Sequence, residues 1–388
     1  MQRRSFIRTA GLGSLGLTSG LLRAEDPEIE LLPVPKLPSF PDPTAGPEDP
    51  KSWSLAVIPD TQNYTKLGEN QANFHLITEW LRDHTEAWNL QAVLHEGDLV
   101  EQNDIAEGGG KGGGDQHSDS QWDCAQKAMA KLYGVVPTIF ATGNHDYGPR
   151  NAENRKTRFN NHFGLTDNPL TSDGKGGGIW RESGANAFGS KTLENAAYEI
   201  KAPDGRKLLI LSLEWGPRRE AVIWAKAVLQ QERYQDHLGI LLTHNFLMPN
   251  NQRDFDDERN ANPHHYPTGA DGNTHDGEDL WQKLVQPSRQ IQLVLNGHEM
   301  GRHVGYRMDP GAGGQHVHQM LFNAQGLGKG WKKQGNGGDG WIRLLTFEPD
   351  GKTLTVRTFS PLKLKQGQDP WFRKPSWCFT LELKGAQS

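Results

Sequence analysis

Cysteine is almost absent from this chain of 388 residues, which contains only Cys124 and Cys378. Two cysteines cannot build a disulfide framework, and their spacing fits no cysteine-based zinc site. The small disulfide-rich domains and the cysteine-ligated zinc proteins are therefore excluded as classes. Any metal site must use other ligands, and the 15 histidines are a first hint of metal use.

The chain also lacks a net positive charge and, beyond the N-terminus, long apolar runs. The formal net charge is -5 and the pI is about 6.3, whereas binding of a phosphate backbone favours a broad basic face. We therefore expect no nucleic-acid partner. Beyond the N-terminus no segment is apolar enough for a transmembrane helix, so we expect a mature chain that is soluble. Its 45 glycines predict long loops around the core.

The N-terminus has the features of an export signal. Arg3 and Arg4 are followed by Phe6 and by an apolar stretch over residues 10–22 without acidic residues. This stretch is too short to span a bilayer and is typical of the apolar region of a signal peptide. The paired arginines resemble a twin-arginine signal; an ordinary secretory signal that happens to carry two arginines is the alternative. We predict a signal peptide over residues 1–24 and a periplasmic or extracellular protein.

Proline is concentrated directly after this segment. Eight prolines lie between Pro27 and Pro50, with few apolar residues among them. Such a composition predicts a linker or an extended arm. We therefore assign residues 25–51 to a linker and residues 52–384 to one domain.

Apolar runs and helical patterns alternate through the first part of this domain. Short apolar runs predict buried strands at 55–58, 92–94, 138–141, 208–211, 239–242 and 291–295. Helical spacing of apolar residues predicts helices at 70–88, 122–132, 219–234 and 277–286. The alternation indicates an α/β fold with a largely parallel sheet covered by helices. After residue 298, strands and turns alternate, which predicts antiparallel strands that close a second sheet.

Polar side chains follow five of the predicted strands. They are Asp60, Gln62, Asp98, Asn144, His145, Asp146, His244 and His298. In α/β folds ligands gather at the carboxyl ends of strands. A single such residue is readily explained as a cap or as a satisfied polar group, but five strand ends of one kind are not. Oxygen and imidazole donors suit Mn, Fe or Zn, and the set would fill two sites about 3.5–4 Å apart that share one carboxylate.

The order of these groups resembles the calcineurin-like metallophosphoesterases. That family has Asp-x-His, Gly-Asp, Gly-Asn-His-Asp/Glu, a lone His and Gly-His-x-His. The matching positions over residues 52–305 are Asp60-Thr61-Gln62, Gly97-Asp98, Gly143-Asn144-His145-Asp146, His244 and Gly297-His298. The resemblance implies a four-layer α/β/β/α sandwich with two mixed sheets. It also implies hydrolysis of phosphomonoesters or phosphodiesters by a water molecule that two divalent or trivalent metal ions activate.

The resemblance further implies a role for each residue. Asp98 would bridge the two ions, and Asp60 and Gln62 would complete the first site. The ligands of the second ion would be Asn144, His244 and His298. His145 would bind no metal; it would contact the phosphate or protonate the leaving oxygen, and Asp146 would orient it.

Two positions depart from the family pattern, and both belong to the first site. Gln62 stands in place of a histidine, as in what looks like an exported Asp-Thr-Gln branch of the family. Met300 stands in place of the second histidine of Gly-His-x-His, and a thioether is a poor ligand for a hard ion. We therefore expect a weaker first site. The histidines that could fill the gap are His303, His316 and His318, although the last two also fit an ordinary strand.

Three alternatives stay open. The chain could be a metal- or phospho-ligand-binding protein with a degraded first site, although the intact Asn144-His145-Asp146 favours an enzyme. Glu214 ends a strand and either supports a ligand or only approaches a helix. A polar loop has three more histidines that form either a third metal site or part of a solvated loop: His264, His265 and His275.

Overall fold

The computed structural model describes residues 37–108, 113–255, 261–330, 332 and 334–384. The predicted signal peptide and the linker up to residue 36 lie outside the described residues. Within the described ranges, no helix has the length and apolar character needed to cross a membrane.

The domain contains strands and helices in the following order. The strands are β1 Trp53–Ile58, β2 Leu90–His95, β3 Thr138–Phe140, β4 Trp180–Ala185, β5 Lys191–Lys201, β6 Lys207–Ser212, β7 Leu238–Leu242, β8 Ile291–Asn296, β9 Val304–Pro310, β10 His316–Phe322, β11 Ile342–Phe347, β12 Thr353–Phe359 and β13 Phe379–Glu382. The α-helices are α1 Gln62–Thr65, α2 Gln71–Asp83, α3 Ser118–Ala130, α4 Phe159–His162, α5 Arg219–Leu229, α6 Gly277–Leu280 and α7 Pro361–Lys365. Shorter 3-10 turns are Gly68–Asn70, Asn144–Asp146, Glu232–Tyr234, Pro263–His265 and Pro267–Gly269, and a π-helical turn, Trp281–Val285, continues α6.

These strands form two sheets. The first has the order β13-β12-β11-β1-β2-β3, and the second has the order β4-β5-β6-β7-β8-β10-β9. Strand β1 is parallel to β2 and antiparallel to β11, while β6 is parallel to β7 and antiparallel to β5. Both sheets are therefore mixed, which confirms the expected fold class.

The expected division of strands between the sheets was wrong. The alternating part of the chain does not build one sheet, because β1–β3 lie in the first sheet and β4–β8 in the second. The late strands β11–β13 extend the first sheet beside β1. Every residue of β1 and of β8 is buried. An apolar run therefore indicates a strand that is buried on both faces, but it does not determine which other strand pairs with it. Strands β4 and β9, for which the sequence shows no apolar run, lie at the two edges of the second sheet. Both are partly exposed and contain charged residues.

Alternate residues of the second sheet face different layers. Leu208 and Ile210 of β6 share one buried cluster with residues of the first sheet, such as Leu55. Leu209, on the opposite face of the same strand, packs in a second cluster with Val222 of α5. The outer helices α2 and α3 add their apolar faces to the first cluster. The layers therefore follow the order helix, sheet, sheet, helix.

The described end of the predicted linker lies against the domain. Trp88 donates its indole N–H to the Pro43 carbonyl oxygen over 2.7 Å. Trp371 donates in the same way to the Pro41 carbonyl oxygen over 3.2 Å, and its ring lies 5.8 Å from that of Phe40. This part of the chain is thus an arm that contributes contacts to the core.

This arm should contribute to folding stability. We expect Phe40→Ala to lower the free energy of unfolding by about 1–2 kcal/mol, because it removes a half-buried ring that contacts the core. Leu37→Ala is the matched control, since Leu37 is 39% exposed and should change stability by less than about 0.5 kcal/mol. Urea unfolding of the three proteins measures both effects, and equal stabilities would show that the arm contributes nothing.

Candidate metal centre

The site residues occupy loops that leave the carboxyl ends of strands from both sheets. Asp60 and Asp98 follow β1 and β2 of the first sheet, and His244 and His298 follow β7 and β8 of the second. These loops meet at one edge of the sandwich. The His298 backbone N–H, for example, donates to Asp60 Oδ1 over 3.2 Å. The structure therefore brings together the residues that the sequence placed at matching strand ends.

The Asp98 carboxylate lies at the centre of this cluster. Its Oδ2 accepts a hydrogen bond from Gln62 Nε2 at 2.9 Å and lies 3.2 Å from His244 Nε2. Its Oδ1 accepts from the His145 backbone N–H at 3.0 Å. One carboxylate thus contacts groups from both expected metal positions. That arrangement fits a bridging ligand.

The residues of the second position suit a metal ion. Ligand-type atoms of Asp98, His244 and His298 all lie within 4.8 Å of one another. His244 Nδ1 donates to the Glu96 carbonyl oxygen over 2.7 Å, which leaves Nε2 directed at Asp98. Asn144 Oδ1 is buried without a hydrogen-bond partner. A buried unpaired oxygen is costly unless a cation or donor meets it.

The first position contains a second buried and unpaired oxygen, Gln62 Oε1. Asp60, the other expected ligand there, is fully buried. Its Oδ2 accepts hydrogen bonds from Asn323 Nδ2 at 2.8 Å and from Gln325 Nε2 at 3.1 Å. Met300 is 36% exposed at the rim of the site. Two side-chain amides therefore donate to the same oxygen of the Asp60 carboxylate.

None of the three candidate histidines is directed at Asp60. His318 uses both ring nitrogens elsewhere, with Tyr306 Oη at 2.9 Å and the Glu382 carbonyl oxygen at 3.1 Å. His316 is exposed. His303 Nδ1 donates to the Asn323 carbonyl oxygen over 3.0 Å, so this ring nitrogen is not available to a metal ion. The plainer interpretation of an ordinary strand is the one that fits His316 and His318.

Asn323 and Gln325 were missed by the sequence analysis, although a signal for them exists. They directly follow β10, an apolar strand, just as the other site residues follow theirs. β10 is parallel to β8, so its carboxyl end lies at the same edge of the sandwich. The late strands were expected to be antiparallel, and an antiparallel β10 would have its carboxyl end at the opposite edge of the sheet.

Backbone geometry keeps the loops close around the ligands. Gly97 has φ +99°, and a Cβ atom there would lie 2.7 Å from the Gly143 nitrogen and 2.8 Å from His244 Nδ1. Asp98 and His298 themselves adopt left-handed backbone, with φ +51° and +68°. Such conformations are costly for residues other than glycine and concentrate at functional sites.

His145 and Asp146 are held by different partners. The His145 ring donates from Nδ1 to the Glu101 carbonyl oxygen over 2.9 Å. The Asp146 carboxylate accepts from the backbone N–H groups of Gly143 at 2.8 Å and Leu99 at 2.9 Å. The expected orienting contact from Asp146 to the imidazole is therefore replaced by one from Glu101. Asp146 positions His145 only through the loop backbone.

Burial and mutual interactions shift the protonation of the cluster. Burial raises the pKa of Asp60 and that of Asp146 to about 7 each. Burial would also raise the pKa of Asp98, but the His244 and His145 imidazoles outweigh it and lower that pKa. Conversely, burial would lower the pKa of His244, but Asp98 and Asp60 raise it to about 10. Without a metal ion, an ionised Asp98 therefore faces a protonated His244, and the buried carboxyl groups of Asp60 and Asp146 retain their protons more readily than usual.

The centre opens into a cavity of about 390 Å³. Besides the ligands, its walls contain Lys66, Glu101, His145, Tyr266, Met300 and Gln325. Lys66 and Glu101 form an ion pair of 2.9 Å. The cavity therefore gives a small molecule access to the Asp98 carboxylate and to the imidazoles of His145 and His298.

Other predicted residues lie in separate networks. His264 Nε2 lies 3.2 Å from Asp279 Oδ2 and 3.6 Å from Asp276 Oδ2, whereas His275 Nδ1 donates to the Pro217 carbonyl oxygen. Glu214 accepts from Arg218 Nε at 2.7 Å and so anchors the start of α5. None of these contacts involves a residue of the cluster around Asp98.

The fold and the site define an α/β protein in which the strand ends of two packed sheets bring together a group of candidate metal ligands. The chain belongs to the calcineurin-like phosphoesterases, whose family pattern matches residues 54–302. Membership supports metal-dependent hydrolysis of phosphate esters as the general class of activity.

Two individual proteins are similar to this chain. YvnB, an uncharacterized protein of Bacillus subtilis (strain 168), is 26% identical over 341 residues. The match covers 86% of this chain and 22% of the relative, so the chain spans about a fifth of the relative's length. A solved structure, that of GAP50, the anchor in the inner membrane complex of Plasmodium, aligns with a TM-score of 0.44 and 9% identity. That alignment covers 87% of this chain and 90% of the other.

The close approach at Gly97 gives a testable prediction. Gly97→Ala should lower the free energy of unfolding by about 1–3 kcal/mol more than Gly205→Ala does. Both glycines have positive φ, +99° and +87°, but a Cβ at Gly205 would meet nothing within 4 Å. The difference between the two variants therefore isolates the contact with Gly143 and His244. Chemical denaturation measures it, and equal losses would contradict the proposed crowding.

Proposed function

We propose that the protein is an exported hydrolase of phosphomonoesters or phosphodiesters that works with two metal ions. The observation that carries this proposal is the Asp98 carboxylate, whose Oδ2 contacts both Gln62 and His244. A single carboxylate can serve two ions only where two ligand sets converge on it. Gln62 and Asn144, one from each expected ligand set, both have a buried side-chain oxygen without a hydrogen-bond partner.

The proposal assigns the residues to two ligand sets, as the resemblance to the family implies. Asp60, Gln62 and Asp98 would hold the first ion. The second would be held by Asp98 together with Asn144, His244 and His298. These donors suit Mn, Fe or Zn. Such ions, when bound, polarise a phosphoryl oxygen and lower the pKa of water.

His145 is the residue placed to supply a proton. A carbonyl oxygen only accepts hydrogen bonds, so the contact with Glu101 fixes the proton on Nδ1 and leaves Nε2 available to the cavity that His145 lines. Burial would lower the pKa of His145, but Asp98 and Glu101 outweigh it and raise that pKa. A protonated imidazole at this wall can donate to the leaving oxygen of a phosphate ester.

The dimensions of the cavity support a small substrate. Its volume of about 390 Å³ accommodates a small ester, and calcineurin-like phosphoesterases, the family to which the chain belongs, act on phosphate esters. The negative net charge of -5 gives no support for a nucleic-acid substrate. A small phosphate ester is therefore the proposed substrate.

The role of His145 is tested by replacing it. His145→Ala should lower kcat on aryl phosphate esters by about 10²–10⁴-fold, because the leaving oxygen then loses its acid. Metal content should stay unchanged, since His145 is no ligand. His316→Ala serves as the matched control, because His316 is exposed on β10 and its loss should leave both quantities unchanged.

Other results would favour a binding protein instead. A metal-loaded chain that hydrolyses neither aryl phosphomonoesters nor diesters would overturn the enzymatic proposal. Hydrolysis that persists unchanged in His145→Ala would leave the enzyme but remove its proposed acid. Elemental analysis of the same samples separates these results from a simple loss of metal.

Export through the twin-arginine route is a separate proposal, supported by Arg3 and Arg4 ahead of the apolar stretch. The double variant Arg3→Lys, Arg4→Lys should retain the full chain in the cytoplasm of a bacterial host that has this route, because a receptor recognises the arginine pair. Arg8→Lys should be exported normally. Cell fractionation measures the distribution, and normal export of the double variant would point to an ordinary secretory signal.

A further inference from the structure

The amide side chains around Asp60 have an arrangement that the family pattern does not explain. Gln325 is 6% exposed, lines the cavity and donates from Nε2 to Asp60 Oδ2 over 3.1 Å. Its Oε1 accepts from Asn63 Nδ2 at 3.1 Å. Gln62, on the other side of the position, directs its Nε2 at Asp98. Two glutamine amides therefore present N–H groups to the two carboxylates of the first site.

We propose that Gln325 is a ligand of the first metal ion and takes the place of the imidazole that Met300 replaces. The first site is then made of carboxylate and amide oxygens only: Asp60, Gln62, Asp98 and Gln325. This inference rests on the proposed two-metal centre. It makes the first site selective for a hard ion such as Mn²⁺ or Mg²⁺ over Zn²⁺.

The Asn63 and Gln325 amides can exchange their ends and keep the hydrogen bond between them. A side-chain amide presents either an oxygen or an NH₂ group, depending on its terminal torsion. Asn63 Oδ1 is buried and unpaired, so rotation of both amides preserves the hydrogen bond between the two side chains, but it gives up the one from Asn63 Nδ2 to the Gln325 carbonyl oxygen at 3.0 Å, a loss that a bound cation would have to offset. The rotated Gln325 directs its oxygen at Asp60. A cation must then lie between the Gln325 oxygen and the Asp60 carboxylate, since the two oxygens would otherwise repel each other.

Gln62 is set up in the same way. Its Oε1 is buried and unpaired while its Nε2 faces Asp98. Rotation of this amide turns an oxygen toward Asp98 on the side of the first site. The first site can therefore change from N–H donors to oxygen ligands when a cation arrives.

Asn323 has a different task. Its Nδ2 donates both to Asp60 Oδ2 at 2.8 Å and to the His298 carbonyl oxygen at 3.0 Å, and its Oδ1 accepts from the Gln325 backbone N–H at 3.1 Å. All of its polar atoms are therefore engaged with the surrounding loops. Asn323 is a positioning residue that holds Asp60 and Gln325 in register.

The structure supplies a matched control for Gln325. Gln319, which lies on β10 and is fully buried, donates from Nε2 to Asp309 Oδ2 over 2.8 Å. Arg253 and Arg307 neutralise that carboxylate at 3.0 Å and 2.6 Å. The same amide-to-carboxylate contact thus exists at a place where a cation is already provided.

The test measures metal binding directly. Metal-free protein is equilibrated with Mn²⁺, and bound ions per chain and Kd values are measured by elemental analysis and titration calorimetry. Wild type and Gln319→Met should bind two ions. Gln325→Met, which keeps the volume but removes the oxygen, should weaken one of the two sites by about 10–100-fold. Gln325→Glu should keep two ions, and Gln325→His should shift that site toward Zn²⁺.

Specific outcomes overturn the inference. It fails if Gln325→Met binds two Mn²⁺ ions with unchanged Kd, or if the wild-type chain binds only one ion. It also fails if Gln319→Met loses an ion to the same extent, because the effect would then be structural. Circular dichroism of each variant verifies that the fold is intact. The proposed function fails separately, when a chain loaded with two ions hydrolyses no phosphate ester.

Discussion

The contact of the Asp98 carboxylate with groups from several strand ends is the interaction on which the structure of the site depends. A fully buried carboxylate is expensive unless it is paired or binds a metal. Here its oxygens are met by Gln62, His244 and the His145 backbone. The left-handed backbone at Asp98, reached directly after Gly97, aims the side chain at this meeting point. The loops that supply the partners are therefore constrained by one side chain.

The two-sheet architecture is what allows these partners to meet. Asp60 and Asp98 come from the first sheet, whereas His244 and His298 come from the second. A single parallel sheet would spread five strand ends along one line, with neighbouring strands about 4.8 Å apart. Two packed sheets instead place the ends opposite each other. The imidazoles of the second sheet can then reach a carboxylate of the first.

The sequence predicted that these residues meet at one edge of the sheets because each follows an apolar strand, and that pattern depends only on local order along the chain. It could not predict which sheet each strand joins, since the burial of β1 on both faces fits several neighbours. The same uncertainty hid Gln325, because the direction of β10 decides whether its end reaches the site. The partner of His145 could not be predicted for another reason. It is the backbone carbonyl of Glu101, and every residue type has such a carbonyl.

The polar side chains at the first metal position favour a site whose ligands have changed over a site that no longer binds a metal ion. Loss of metal binding would remove the need for buried amides there, and apolar side chains would be cheaper, since each buried unpaired oxygen costs about 1–3 kcal/mol. Instead Gln62 Oε1 stays buried and unpaired, and Gln325 lies against Asp60. Met300 is 36% exposed and lines the same cavity. The arrangement therefore favours a first site with changed ligands over one that has been lost.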